Sequence, residues 1–105
     1  MNEELQAIEL TEAQAEAKIE KAEKWKKLLA DPLFDELVTK DYLGDDAVRL
    51  TLQFSPKAED NGIVTTMLSA KSIFSRFVGN VLNDGEVAVT TLEEHRQLRQ
   101  ELDKE

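Results

Sequence analysis

Only two prolines, Pro32 and Pro56, stand in this chain to interrupt a helix by removing a backbone donor. Elsewhere the apolar residues recur mainly at the helical period, and only four glycines are spread over 105 residues. Such a chain favours long helices over a turn-rich β sandwich. The expected fold is mainly α: a small helical bundle with a long N-terminal helix and a central helix over 63–82. One domain is expected across 1–105, with residues 1–10 at its fraying end.

Thr11-Glu12-Ala13-Gln14 reads as a capping box, with Leu10 and Ala15 as its hydrophobic staple. The alternative start lies near residue 3, because Leu5 and Ile8 extend the same stripe backwards. The helix is expected to end near Ala30. Its apolar seam is Ala15, Ile19, Ala22 and Leu29, with Trp25 and Leu28 on the flanks. A narrow, alanine-rich seam suits close approach to one partner helix better than burial in a wide core. Lys18, Lys21, Lys24, Lys26 and Lys27 read as a solvated face, laced by Glu20–Lys24 and Glu23–Lys27 pairs.

Asp31-Pro32 marks a boundary, with Asp31 capping a second helix over about 32–43. Gly44 is placed to end that helix in a left-handed conformation. Residues 47–54 carry two patterns. Val48, Leu50, Leu52 and Phe54 alternate as in a strand, whereas Asp45 and Asp46 start a helix that would group Ala47, Leu50, Thr51 and Phe54. The helix is the preferred reading. The alternative is an α+β fold with short strands at 47–54 and 87–91. Ser55-Pro56 through Asn61-Gly62 reads as a polar loop.

In the central helix, Ile63, Met67, Ala70, Phe74, Phe77, Val78 and Val81 recur at the helical period. The opposite face is Thr65, Ser69, Ser72, Ser75 and Gly79, and Lys71 and Arg76 are the only charges over 63–82. In a chain that is 33% charged, so bare a helix is expected to be covered on both sides. Asn83-Asp84-Gly85 is expected to end it. A last helix then starts at Glu86, or at Leu92 by the Thr91–Glu94 capping box, with Ala88, Thr91, His95, Leu98 and Leu102 on one side.

The chemistry-bearing residues are sparse. Without cysteine, disulfides, thiolate metal sites and cysteine nucleophiles are excluded. His95 is the single histidine, and its position on an apolar seam suits packing or a helix–helix hydrogen bond. Asp35, Glu36, Asp41, Asp45 and Asp46 lack the alternating ligand spacing and obligatory glycine of a calcium loop. No glycine-rich phosphate loop or dinucleotide fingerprint occurs. No enzymatic activity, metal or cofactor is expected. A formal net charge of -9 repels phosphate backbones, so direct nucleic-acid binding is not expected either. No apolar run approaches a membrane span, and the acidic start Met1-Asn2-Glu3-Glu4 has no signal-like run, which makes the cytoplasm the default location.

Trp25-Lys26-Lys27-Leu28-Leu29, Asp31-Pro32-Leu33-Phe34, Tyr42-Leu43-Gly44-Asp45-Asp46-Ala47-Val48-Arg49-Leu50-Thr51 and the run from Phe77 to Gly85 together resemble a group of small uncharacterised tailed-phage proteins. The resemblance covers residues 25–85 and carries no catalytic signature. It implies a helical Ala47–Leu52 segment and an accessory or virion-assembly protein acting in the host cytoplasm or the virion. The leading expectation is therefore a non-enzymatic interaction protein that forms a homo-oligomer or docks on a larger protein. Ile19, Ala22, Trp25, Leu29, Ser72 and Gly79 are its expected protein interface. The alternative is an acidic inhibitor that mimics nucleic acid against a host protein, since residues 1–17 hold five glutamates and no base.

Overall fold

A computed structural model describes residues 2–54 and 61–104. The described residues are helical, with no strand among them. The elements are α1 (Asn2–Ala30), a single turn α2 (Pro32–Phe34), a π-helical segment (Asp35–Asp45), α3 (Asp46–Leu52) and α4 (Asn61–Asp103). The expected all-helical architecture is observed, and the strands considered at 47–54 and 87–91 are absent: Asp46–Leu52 and 87–91 are both helix. The Ser55–Asp60 part of the expected polar loop lies outside the described residues, and Asn61 and Gly62 already belong to α4.

The chain divides into two compact units. Unit 1 comprises residues 1–25 and 80–105, and unit 2 comprises 26–79. In unit 1, α1 and the C-terminal half of α4 pack antiparallel. Ile8 lies near Leu98 and Leu102, Ala15 packs with Ala88 and Leu92, and Ala22 meets Gly85. Ile8, Ala15 and Ala22 are buried at intervals of seven, as are Gly85 and Leu92 on the other helix of the pair. A seven-residue repeat keeps one seam facing its partner. The narrow alanine seam thus does meet one partner helix, and that helix belongs to the same chain.

Thr11 does not start α1. The helix passes through it, its hydroxyl donates to the Ala7 carbonyl at 2.9 Å, and Leu10, 63% exposed, makes no staple. A hydroxyl that bonds back one turn costs a helix only slightly, so the cap signal loses to the packing of Ile8 below it. Glu20 and Lys24 do pair, at 3.3 Å.

The expected stop at Asn83-Asp84-Gly85 does not occur, nor does a new start at Thr91: α4 is continuous over 43 residues. Gly85 serves packing instead. A Cβ there would lie 2.4 Å from the Ala22 Cβ, so only glycine allows the two backbones to approach so closely.

Unit 2 is built on α2, the π segment, α3 and the first half of α4. Asp31 caps as expected: its Oδ1 accepts from the amides of Leu33 (2.9 Å) and Phe34 (3.1 Å). Gly44, however, does not end the second helix. It has no positive φ, and the chain runs on through Asp45 into α3. Burying Leu50 to 1% exposure requires that continuation, and this outweighs the roughly 1 kcal/mol that an interior glycine costs a helix.

The inward face of α4 in this unit keeps Val78 of the expected stripe and otherwise differs from it. Val64, Lys71 and Val78, again seven apart, are buried, while Ile63, Met67 and Phe77 are about half to two-thirds exposed. The buried seam lies about 100° round the helix from Ile63 and Ala70, on the side where Leu50 of α3 meets Val64.

Candidate functional site

Lys71 is the sole buried charged residue among those described. A buried ammonium is costly unless its donors are satisfied. Its Nζ donates to the Tyr42 carbonyl at 2.6 Å, pairs with Asp46 Oδ2 at 2.7 Å, and lies 3.4 Å from the centroid of the Tyr42 ring. The widened helical ladder explains why that carbonyl is available. In an α-helix the Asp46 amide would bond to Tyr42, but here it bonds to Asp41, one residue further back. Lys71 supplies the donor that the π turn removes.

Asp46 is the hub of this cluster. Its Oδ1 accepts from Arg49 Nε at 3.0 Å and also from Arg49 Nη2. The hydrogen bond from Lys71, followed by that from Arg49, holds its carboxyl below the ordinary value of 3.8. The cleft bounded by Tyr42, Asp46, Arg49, Met67, Ala70 and Lys71 measures about 210 Å³, smaller than small-molecule pockets of roughly 300 Å³ and above. A wider hollow of about 450 Å³ between α3 and α4 offers only one charged group, Arg49, already committed to Asp46. The cluster therefore fastens the π segment and α3 to α4 and presents no convergent free groups.

A second polar layer lies in the seam of unit 1. Arg99 pairs with Glu12 at 3.0 Å and reaches Glu9 at 3.9 Å. Glu12 Oε1 and His95 Nδ1 are buried without a hydrogen-bond partner among the described residues. His95 sits half-buried on the seam where the spacing placed it. Among the described residues no three acids or histidines converge as a metal site, and no helix is long and apolar enough to cross a membrane.

What remains is surface. Among the described residues fifteen large hydrophobics are exposed, and eleven of them lie in unit 2, from Leu28 to Phe77. Leu28, Leu33, Phe34, Leu37 and Val38 line a shallow groove beside Asp31. Ile63, Ile73 and Phe77 lie along α4, being 64%, 65% and 48% exposed. Charge is divided in the opposite sense. Unit 1 has fourteen acids against six bases, and unit 2 has eight against seven, so -8 of the -9 belongs to unit 1.

The residues singled out from sequence fall in different places. Ala22 is buried against Gly85, and Ile19 packs on the Ala15–Ala88–Leu92 cluster, so both are engaged within the chain. Trp25 and Leu29 are half-buried. Ser72 and Gly79 are exposed, and nothing lies within 4 Å of a Cβ built on Gly79. Within one chain, then, the small-residue face of α4 is open. Sequence reasoning missed Lys71 and Ile73. A lysine alone in a nearly uncharged helix was the signal for the first. For the second it was the set Ile63, Thr66, Ala70, Ile73 and Phe77, which shares one narrow helical stripe.

No protein-family model matches this chain, and neither does any curated protein or any solved structure.

Proposed function

We propose that this is a non-catalytic assembly or interaction protein that works by burying the apolar surface of unit 2 against another protein. The observation that carries the reading is the division of the surface: eleven exposed large hydrophobics in the unit that is nearly neutral, four in the unit that holds the charge. Large apolar patches on a folded chain mark places of contact. The acidic unit keeps such a molecule soluble. The resemblance to small tailed-phage proteins runs from Trp25 to Gly85, nearly coextensive with unit 2, and supports a role in virion assembly.

One observation favours a second reading, an acidic inhibitor or nucleic-acid mimic: the concentration of -8 in unit 1. Against it, Glu9 and Glu12 are tied to Arg99, and Glu20 to Lys24.

A photo-cross-linking residue placed singly at Leu33, Leu37 or Ile73, and in parallel at Glu16, Glu94 or Gln97, separates the two. Protein adducts from the first set, with few from the second, are expected in the cells that make the protein. Adducts from the second set alone would establish the acidic reading, and none from either would refute both.

A further inference from the structure

We infer that the stripe Ile63–Thr66–Ala70–Ile73–Phe77 of α4 is an isologous interface on which a second copy of this chain seats. The inference rests on the reading of unit 2 as the working surface and names its occupant. Three observations select a second copy.

The first is exposure. Ile63, Ile73 and Phe77 are 64%, 65% and 48% exposed, and an antiparallel pairing of two copies along this stripe would cover all three in both.

The second is charge. Two copies carrying -9 each repel wherever their acids meet. Unit 2 is where a like chain meets least repulsion, with eight acids against seven bases. Within it, α4 from Ile63 to Gly79 carries only Lys71, which is buried and satisfied, and Arg76. A partner of opposite charge would have no acidic rim on this stripe to recognise.

The third is the symmetry of the stripe. Ala70 lies seven residues from Ile63 and seven from Phe77. A two-fold axis beside Ala70 sets Ile63 of one copy against Phe77 of the other, and Ile73 against the Thr66–Met67 turn. Bulky residues at both ends and a small one at the crossing let two helices approach closely at the centre and interlock outside it.

The test uses the full chain. Sedimentation equilibrium at tens of micromolar is expected to give twice the 11.9 kDa chain mass. Ile73→Glu is expected to give the single-chain mass with an unchanged circular dichroism spectrum, because the side chain is exposed. Leu33→Glu, on the groove elsewhere in unit 2, is expected to remain dimeric. The chain has no cysteine, so Ala70→Cys introduces its one thiol. Mild oxidation should join two Ala70→Cys chains, and should join two Glu94→Cys chains at least tenfold less. This second readout holds even if Ile73→Glu were to unfold. A wild-type monomer overturns the inference and leaves the broader reading to the photo-cross-links from unit 2. A dimer that survives Ile73→Glu, or that does not cross-link through residue 70, also overturns it by placing the pair on another face.

Discussion

Units 1 and 2 use the same seven-residue repeat of α4 for opposite ends. In unit 1 the repeat falls on Gly85 and Leu92, and α1 answers with Ile8, Ala15 and Ala22. Small side chains seal that seam, and the outside is left to charge. In unit 2 the repeat falls on Val64, Lys71 and Val78. There the covering elements are short, Leu50 alone among the described large side chains is fully buried, and a polar cluster on Asp46 holds the pieces. A sealed seam requires little from its surroundings. A unit held by a cluster on Asp46, with most of its large hydrophobics outside, leaves apolar surface open to contact. Small residues thus make unit 1 self-sufficient, and large ones leave unit 2 open.

The comparison breaks first at Gly85. Gly85→Leu must push apart two backbones already too close for one added carbon, 2.4 Å from the Ala22 Cβ. Overpacking of this kind costs about 3 kcal/mol. Its melting temperature should fall by more than about 10 °C, at roughly 4–8 °C per kcal/mol for a domain of this size. In a Gly85→Ala background, Ala22→Gly should recover part of the loss, since it removes the opposing carbon. If Gly85→Leu melts like the parent, the seam is not closed as described.

Lys71→Met should be the next largest effect. It leaves the Tyr42 carbonyl without its donor and Asp46 with Arg49 alone, at a cost of about 1–3 kcal/mol. Hydrogen exchange should rise in residues 35–52 and stay unchanged over 84–98. A uniform rise would mean that Lys71 supports the whole chain and not unit 2.

Acid sharpens the same contrast. Because Lys71 and Arg49 lower the Asp46 carboxyl below 3.8, its contribution is present above that pH and is lost as pH falls through the folded value. The parent should therefore lead Asp46→Asn in melting temperature at neutral pH, and the gap should close below about pH 4. A gap that is constant with pH would show that the charge on Asp46 is irrelevant.

The smallest effect, of opposite sign, is expected at Gly79. Nothing lies within 4 Å of an added Cβ, so Gly79→Ala should gain up to about 1 kcal/mol of helix propensity without a clash. If instead it destabilises only the oligomer, in a concentration-dependent melt, the second copy packs on the small-residue face as well as on the Ile73 stripe.

Much of this was legible along the chain. The helical period, the scarcity of breakers and the Asp31 cap indicated that the protein is mainly helical and where α1 ends, whereas 47–54 carried a strand and a helix pattern together, and the preferred helix is the one observed. These are properties of neighbouring residues, and local spacing encodes them. The alanine seam likewise announced a close helix contact and placed Ala15 and Ala22 on it. Glycine was the point of failure, because it permits a left-handed stop and a tight approach equally well. Gly44 and Gly85 read alike in sequence, and only the tertiary structure assigns the first to a helix that runs on to bury Leu50 and the second to a contact with Ala22. The same holds for Lys71, whose partners Tyr42 and Asp46 are brought to it by a π turn that no local pattern specifies. Contacts between residues far apart in sequence decide such positions, since their energies depend on what lies opposite and not on what lies next in the chain.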